Sequence, residues 1–111
     1  MPRADDSTHI RHMIEAAKKI RMFSESRTKA DLEIEELFAL GLVRLLEIIG
    51  EAATRVTDAT QKNNPAIPWA QVIGMRNRLI HGYDVIDLDI LWQTVVEDIP
   101  NLIRALEGIK F

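Results

Sequence analysis

The chain has 111 residues, 47% of them hydrophobic and 28% charged, with a net charge of -3 and no cysteine. This length holds one domain over residues 1–111 and not two separate cores, and the composition is that of a folded chain, not a disordered one. Without thiols there can be no disulfide, thiolate zinc site or cysteine nucleophile, and the acidic balance argues against sequence-blind coating of nucleic acid.

Asp5 and Asp6 break up the start of the chain, so no secretory leader is expected. No window approaches about 18 uninterrupted apolar residues, so no membrane span is expected, and the absence of cysteine fits a reducing, cytoplasmic setting. Aromatic residues are only 5% of the chain, so the core must be aliphatic, which favours helix packing over a β-sandwich.

The first predicted helix runs from about Asp6 to Arg27, capped by Ser7 or Thr8. Ile10, Met13, Ile14, Ala17, Ile20 and Phe23 recur on it at helical spacing. The basic residues Lys18, Lys19, Arg21, Arg27 and Lys29 cluster along and just past its C-terminal part, a solvated helix end or a track for phosphates. His9 and His12 have a spacing that could hold a metal, but no carboxylate pattern completes a ligand set, and no metal is expected.

The second predicted helix runs from about Asp31 to Thr57, with apolar residues from Ile34 and Leu37 through Leu46 and Ile49 to Val56 spread over a wide arc. Such a helix is central or touches two neighbours, one of which can be a second subunit. Gly41 and Gly50 each cost about 1 kcal/mol against alanine there, a cost that close approach by another helix would explain.

Asp58–Ile67 reads as a loop turning at Asn63-Asn64-Pro65. A third helix is predicted from Pro68 to about His81, ended by Gly82 in a left-handed cap. The last, from about Asp87 to Lys110, should be kinked or divided at Pro100. No segment reads as a strand. The expected fold class is all-α, an antiparallel bundle of four to five helices.

One segment is chemically loaded: Arg76-Asn77-Arg78-Leu79-Ile80-His81-Gly82-Tyr83. A histidine titrating near neutrality suits general acid–base chemistry, and an arginine grips phosphate through two N–H groups. Asn77, four residues before His81, would share its helical face and orient the imidazole or reach a phosphate oxygen. On a regular helix Arg76 and His81 point roughly 140° apart. The helix must therefore unwind before Gly82, or a second subunit must complete the site. The plain structural alternative is that His81-Gly82 caps a helix and Arg76 pairs with Glu47 or Glu51.

The pattern Arg76-Asn77-x-x-x-His81-x-Tyr83 resembles the Arg-x4-His-x-Tyr motif of HepT-like toxins, in the HEPN superfamily of helical ribonucleases. The resemblance extends to Arg44-Leu45-Leu46-Glu47-Ile48-Ile49-Gly50-Glu51-Ala52, to Pro68-Trp69 with Met75-Arg76-Asn77, and to Asp87 through Leu106 with Pro100 inside. It implies a homodimeric HEPN-like bundle that cleaves RNA without a metal or other cofactor, from a cleft where the motifs of both subunits meet. Arg76 and His81 would be catalytic, with Asn77 and Tyr83 in support. Arg78, Lys18, Lys19 and Arg21 would be weaker RNA contacts. The implied partner is a small nucleotidyltransferase antitoxin that can transfer AMP to Tyr83, in a type VII toxin–antitoxin system. The alternative is a non-catalytic module that binds nucleotide or RNA beside a nucleotidyltransferase. The stretch Asp84, Asp87, Asp89 is less obviously suited to RNA.

Overall fold

Helix α1 spans Asp6–Ser24 in a computed structural model that describes residues 5–82 and 85–109. Its cap is Asp5, two positions before the first of the expected pair: the Asp5 carboxylate accepts from the Thr8 N–H at 3.0 Å, while the Ser7 and Thr8 hydroxyls also donate to it. Ile10, Met13, Ala17 and Ile20 are buried as their spacing predicts, whereas Phe23 is exposed beyond the stripe.

The expected second helix is two. Helix α2 covers Lys29–Ile34 and α3 covers Glu36–Thr54, with Glu35 extended between them at φ -113 and ψ 90. Thr28 and Asp31 start α2 with a capping box. The Glu35 carboxylate accepts from Arg27 at 2.8 Å, which ties the break back to the end of α1. At the break the wide apolar arc is not covered within the described residues, since Ile34 is 78% and Leu37 85% exposed.

Helix α3 is the central element, burying Ala39, Leu42, Val43, Leu46, Ile49 and Ala53 against α1 and the segments after it. Thr57, just past its end, donates from its N–H (3.0 Å) and hydroxyl (2.6 Å) to Asp6 at the start of α1, so the two helices run antiparallel. Gly50 meets the expectation of close approach: a Cβ there would lie 3.2 Å from the Val72 carbonyl oxygen. Gly41 does not, having nothing within 4 Å of that position.

The expected loop contains a one-and-a-half-turn helix, α4 over Asp58–Asn63, capped by the Thr57 hydroxyl. The predicted third helix is broken at Gly74 into α5 (Trp69–Ile73) and α6 (Met75–Leu79). It then stops short of His81. Ile80–His81 forms β1 and Val85–Ile86 forms β2, an antiparallel pair with Ile80 opposite Ile86 and His81 opposite Val85. A small strand pair is thus added to a helical protein whose sequence offered no strand candidate. Gly82 is left-handed as predicted, at φ +71, but it turns a hairpin and does not cap a helix.

The last helix is also divided. Helix α7 covers Leu88–Gln93, a π-helical stretch covers Thr94–Asp98, and α8 covers Ile99–Glu107. Pro100 sits in the first turn of α8, where its missing N–H is harmless, and the wide π turn lies just ahead of it. Buried Thr94 returns its hydroxyl to the Ile90 carbonyl at 2.8 Å, a local bond that also loosens the regular ladder. Among the described residues, no helix is long and apolar enough to cross a membrane.

Candidate active site

Arg76 lies in α6, seated against the outer face of α3. The Gly74 break directs it there, and buried Met75 and Leu79 anchor the short helix on either side. Its Nε donates to the Glu47 carboxylate at 2.6 Å. Of the two acids that sequence spacing offered, Glu47 is the one used. Arg44 stands on the same face, 3.7 Å from Glu47 and 3.3 Å from Glu51. With its Nε engaged, Arg76 keeps its two terminal nitrogens for another acceptor.

His81 is carried off the helix on β1, so the requirement that the helix unwind before Gly82 is met. Its imidazole is 59% exposed, and its Nε2 lies 3.4 Å from Oδ2 of Asp87. Three contacts fix Asp87. Its N–H donates to the Leu79 carbonyl at 2.7 Å, closing the hairpin onto α6. Its Oδ1 accepts from the Ile90 N–H at 3.0 Å, capping α7. Its Oδ2 is left facing the histidine. The Ile90 N–H is the largest influence on the Asp87 carboxyl and lowers it; burial opposes, and the bond and charge of His81 then help to hold the group below its ordinary range. Asp87 is therefore anionic at neutral pH.

Sequence reasoning passed over Asp87 as an acid unsuited to RNA. The available signal was an acidic residue at a helix start within a few positions of a histidine. Asp89, on the next turn, is occupied by an ion pair with Lys29. Asn77 is exposed on α6 and no longer shares a helical face with His81. Among the described residues, the side chain within reach of the imidazole is Asp87. Tyr83 and Asp84 lie outside the described residues.

The expected RNA contacts are dispersed. Arg78, two residues beyond Arg76, faces a different part of the surface, a cavity of about 240 Å³ floored by Val72, Met75 and Leu102. Lys18 is paired with Glu107 at 2.9 Å. Among the described residues no ion pair holds Lys19 or Arg21; Lys19 borders a groove it shares with Phe23, Arg27, Leu37 and Arg44. His9 and His12 stack edge to face, and among the described residues no third ligand joins them.

The class the fold defines is a small helical protein that presents an arginine and a histidine, each on its own carboxylate, the histidine on a hairpin of two two-residue strands. Residues 13–109 match the family described as "Ribonuclease HepT-like". The chain belongs to the HepT-like ribonuclease family. It is 33% identical over 102 residues to "Probable ribonuclease HepT" of Thermococcus cleftensis, covering 92% of this chain and 93% of that protein. It is 30% identical over 107 residues to "Putative RNase MJ1380" of Methanocaldococcus jannaschii, covering 96% and 98%. A third relative, "Putative RNase TTE0752" of Caldanaerobacter subterraneus, is 33% identical over 79 residues, covering 71% and 70%. No solved structure matches the chain.

Proposed function

We propose that the chain is the toxin of a toxin–antitoxin pair, an endoribonuclease that cuts RNA without a metal ion. The observation that carries this reading is the seating of Arg76 and His81 on separate carboxylates in a chain of the HepT-like ribonuclease family. In the proposed reaction a ribose 2′-oxygen attacks the adjacent phosphorus as His81 takes its proton. The P–O5′ bond breaks, the leaving oxygen takes up a proton, and a 2′,3′-cyclic phosphate results. The terminal nitrogens of Arg76 stabilise the charge that builds on the phosphate. Asn77 supplies a further donor. Lys19 and Arg21 are the freer of the outlying phosphate contacts, with Lys18 and Arg78 contributing less.

The reading includes a homodimer whose two copies share one cleft. Leu37, Leu40, Gly41, Arg44, Glu47 and Glu51 fall within roughly 120° of the α3 circumference, so the exposed leucines and the Arg76–Glu47 pair lie on one continuous face. A Cβ at Gly41 would meet nothing within 4 Å among the described residues, which leaves room for a close helix crossing there. A second copy laid across this face would bury Leu37 and Leu40 and bring the two sites toward each other.

The proposed antitoxin is a small nucleotidyltransferase that transfers AMP to the Tyr83 hydroxyl. The added phosphate and base would fill the cleft and repel RNA by charge. Purified wild type and the variants His81→Ala and Arg76→Ala test the central reading. Both variants should stay folded and lose cleavage of single-stranded RNA. Cleavage by His81→Ala at the wild-type rate would remove His81 from the mechanism.

A further inference from the structure

We infer that Asp87 is the positioning residue for His81, holding the imidazole proton on Nε2 so that Nδ1 is the nitrogen that exchanges a proton with RNA. The inference rests on the ribonuclease reading above and deepens it. The geometry supplies the argument. Asp87 has two carboxylate oxygens and two duties: Oδ1 is fixed by the Ile90 N–H at 3.0 Å, and Oδ2 faces Nε2 of His81 at 3.4 Å. The backbone of the same residue is bonded to Leu79, immediately before β1. One residue thus closes the hairpin that carries His81, starts the helix that follows and points an oxygen at the ring.

A carboxylate can only accept at this position, so the neutral imidazole must present its N–H there. The free lone pair is then on Nδ1. When Nδ1 takes the 2′-hydroxyl proton, the imidazolium forms against a fixed negative charge, which favours it. At 3.4 Å the contact is longer than a strong charge-assisted bond. A small turn of the exposed ring closes it as the imidazolium forms, in keeping with catalytic bonds that tighten only with substrate bound. Among the described residues, the other charges near the pair are Lys29 on α2 and Asp89 on α7, and these two are bonded to each other. Asp87 is therefore, among the described residues, the carboxylate left to act on the ring.

The competing role is that of a helix cap alone, and the choice of substitution separates the two. Asparagine and serine cap helices about as well as aspartate, so Asp87→Asn and Asp87→Ser should fold normally. With its oxygen kept on the Ile90 N–H, the asparagine amide would turn N–H groups toward Nε2 and drive the ring proton to Nδ1. Serine would leave the ring unconstrained.

The experiment combines RNA cleavage kinetics with long-range ¹⁵N NMR of His81 in the full chain. In wild type the Nε2–H tautomer should dominate. In Asp87→Asn the Nδ1–H tautomer should dominate, and kcat should fall at least about 100-fold with KM within about twofold. Asp87→Ser should give a mixed tautomer population and a smaller loss of kcat. Wild-type kinetics in both variants, or an unchanged His81 tautomer in Asp87→Asn, would overturn the inference. A wild-type protein that cuts no RNA would instead overturn the ribonuclease reading; the tautomer arm would still report whether Asp87 sets the ring.

Discussion

Arg76 Nε donates to Glu47 Oε2 at 2.6 Å, across the contact between α6 and α3. Glu47 is 22% exposed and Arg76 55%, so the pair sits at the edge of the core and not within it. A pair this wet contributes little to stability, of order 0–1 kcal/mol. Its importance is orientation: Glu47 occupies one edge of the guanidinium and turns the other outward. Glu47→Ala should therefore shift the unfolding free energy by less than about 1 kcal/mol while lowering kcat for RNA cleavage, by up to about 100-fold as Arg76 loses its register. Arg76→Lys should not rescue function, because one ammonium cannot bond Glu47 and fork onto a phosphate together. Steady-state kinetics and chemical denaturation on the same preparations check both points.

Two glycines in one helix should respond oppositely. Alanine at Gly50 would place Cβ 3.2 Å from the Val72 carbonyl oxygen and 3.5 Å from that of Ile73, both backbone atoms that cannot step aside. Overpacking should outweigh the gain in helix propensity, for a net loss of about 1–2 kcal/mol. Gly41→Ala meets nothing within its own chain and should raise monomer stability by roughly 0.5–1 kcal/mol. Equal effects at the two sites, measured by urea unfolding, would contradict the packing described for α3 and α5.

The exposed leucines make the dimer testable apart from the chemistry. Asp substituted at both Leu37 and Leu40 should leave the circular dichroism unchanged, since neither side chain is in the core. The sedimentation coefficient should fall from that of a dimer to that of a monomer, and RNA cleavage should fall with it. Dimeric, fully active protein after both substitutions would place the subunit contact elsewhere.

Acid should loosen the junction between α1 and α4. Burial works to raise the Asp6 pKa, but the bonds from the Thr57 hydroxyl, the Thr60 hydroxyl and the Thr57 N–H outweigh it, and the carboxyl is held below its ordinary value. A carboxyl depressed in the folded state stabilises the fold above the unfolded pKa of about 3.9. That stability is lost as pH falls through the lower, folded value. Asp6→Ala should cost about 1–3 kcal/mol at neutral pH and flatten the decline in Tm below about pH 4. An unaltered acid limb would mean that Asp6 does not report on this junction.

Much of the scaffold was legible because its causes are local. The stripe from Ile10 to Ile20 is buried as spaced, Gly50 marks a close crossing, and Pro100 falls where the last helix divides. The breaks that were missed are tertiary in origin. Glu35 leaves helical geometry in a stretch with good helix propensity, held by Arg27 from the preceding turn. Gly82 was read correctly as left-handed, but that conformation serves a helix cap and a hairpin turn equally. Only the pairing of Ile80 with Ile86 and the bond from Asp87 to Leu79 select the hairpin. Once His81 leaves the helix, its neighbours are no longer those counted by turns of 3.6, which is why Asn77 was expected at the imidazole and Asp87 was not.

The central claim is that this chain transfers a proton from a ribose 2′-hydroxyl through His81, without a metal. Its most direct test is cleavage of a synthetic single-stranded RNA by purified protein in excess chelator, with product ends read by mass spectrometry. Cleavage should persist in chelator and leave a 2′,3′-cyclic phosphate. It should stop at a linkage whose 2′-hydroxyl is replaced by hydrogen and vanish in His81→Ala. Cleavage that requires an added divalent cation, or that proceeds at the deoxy-substituted linkage, would contradict it.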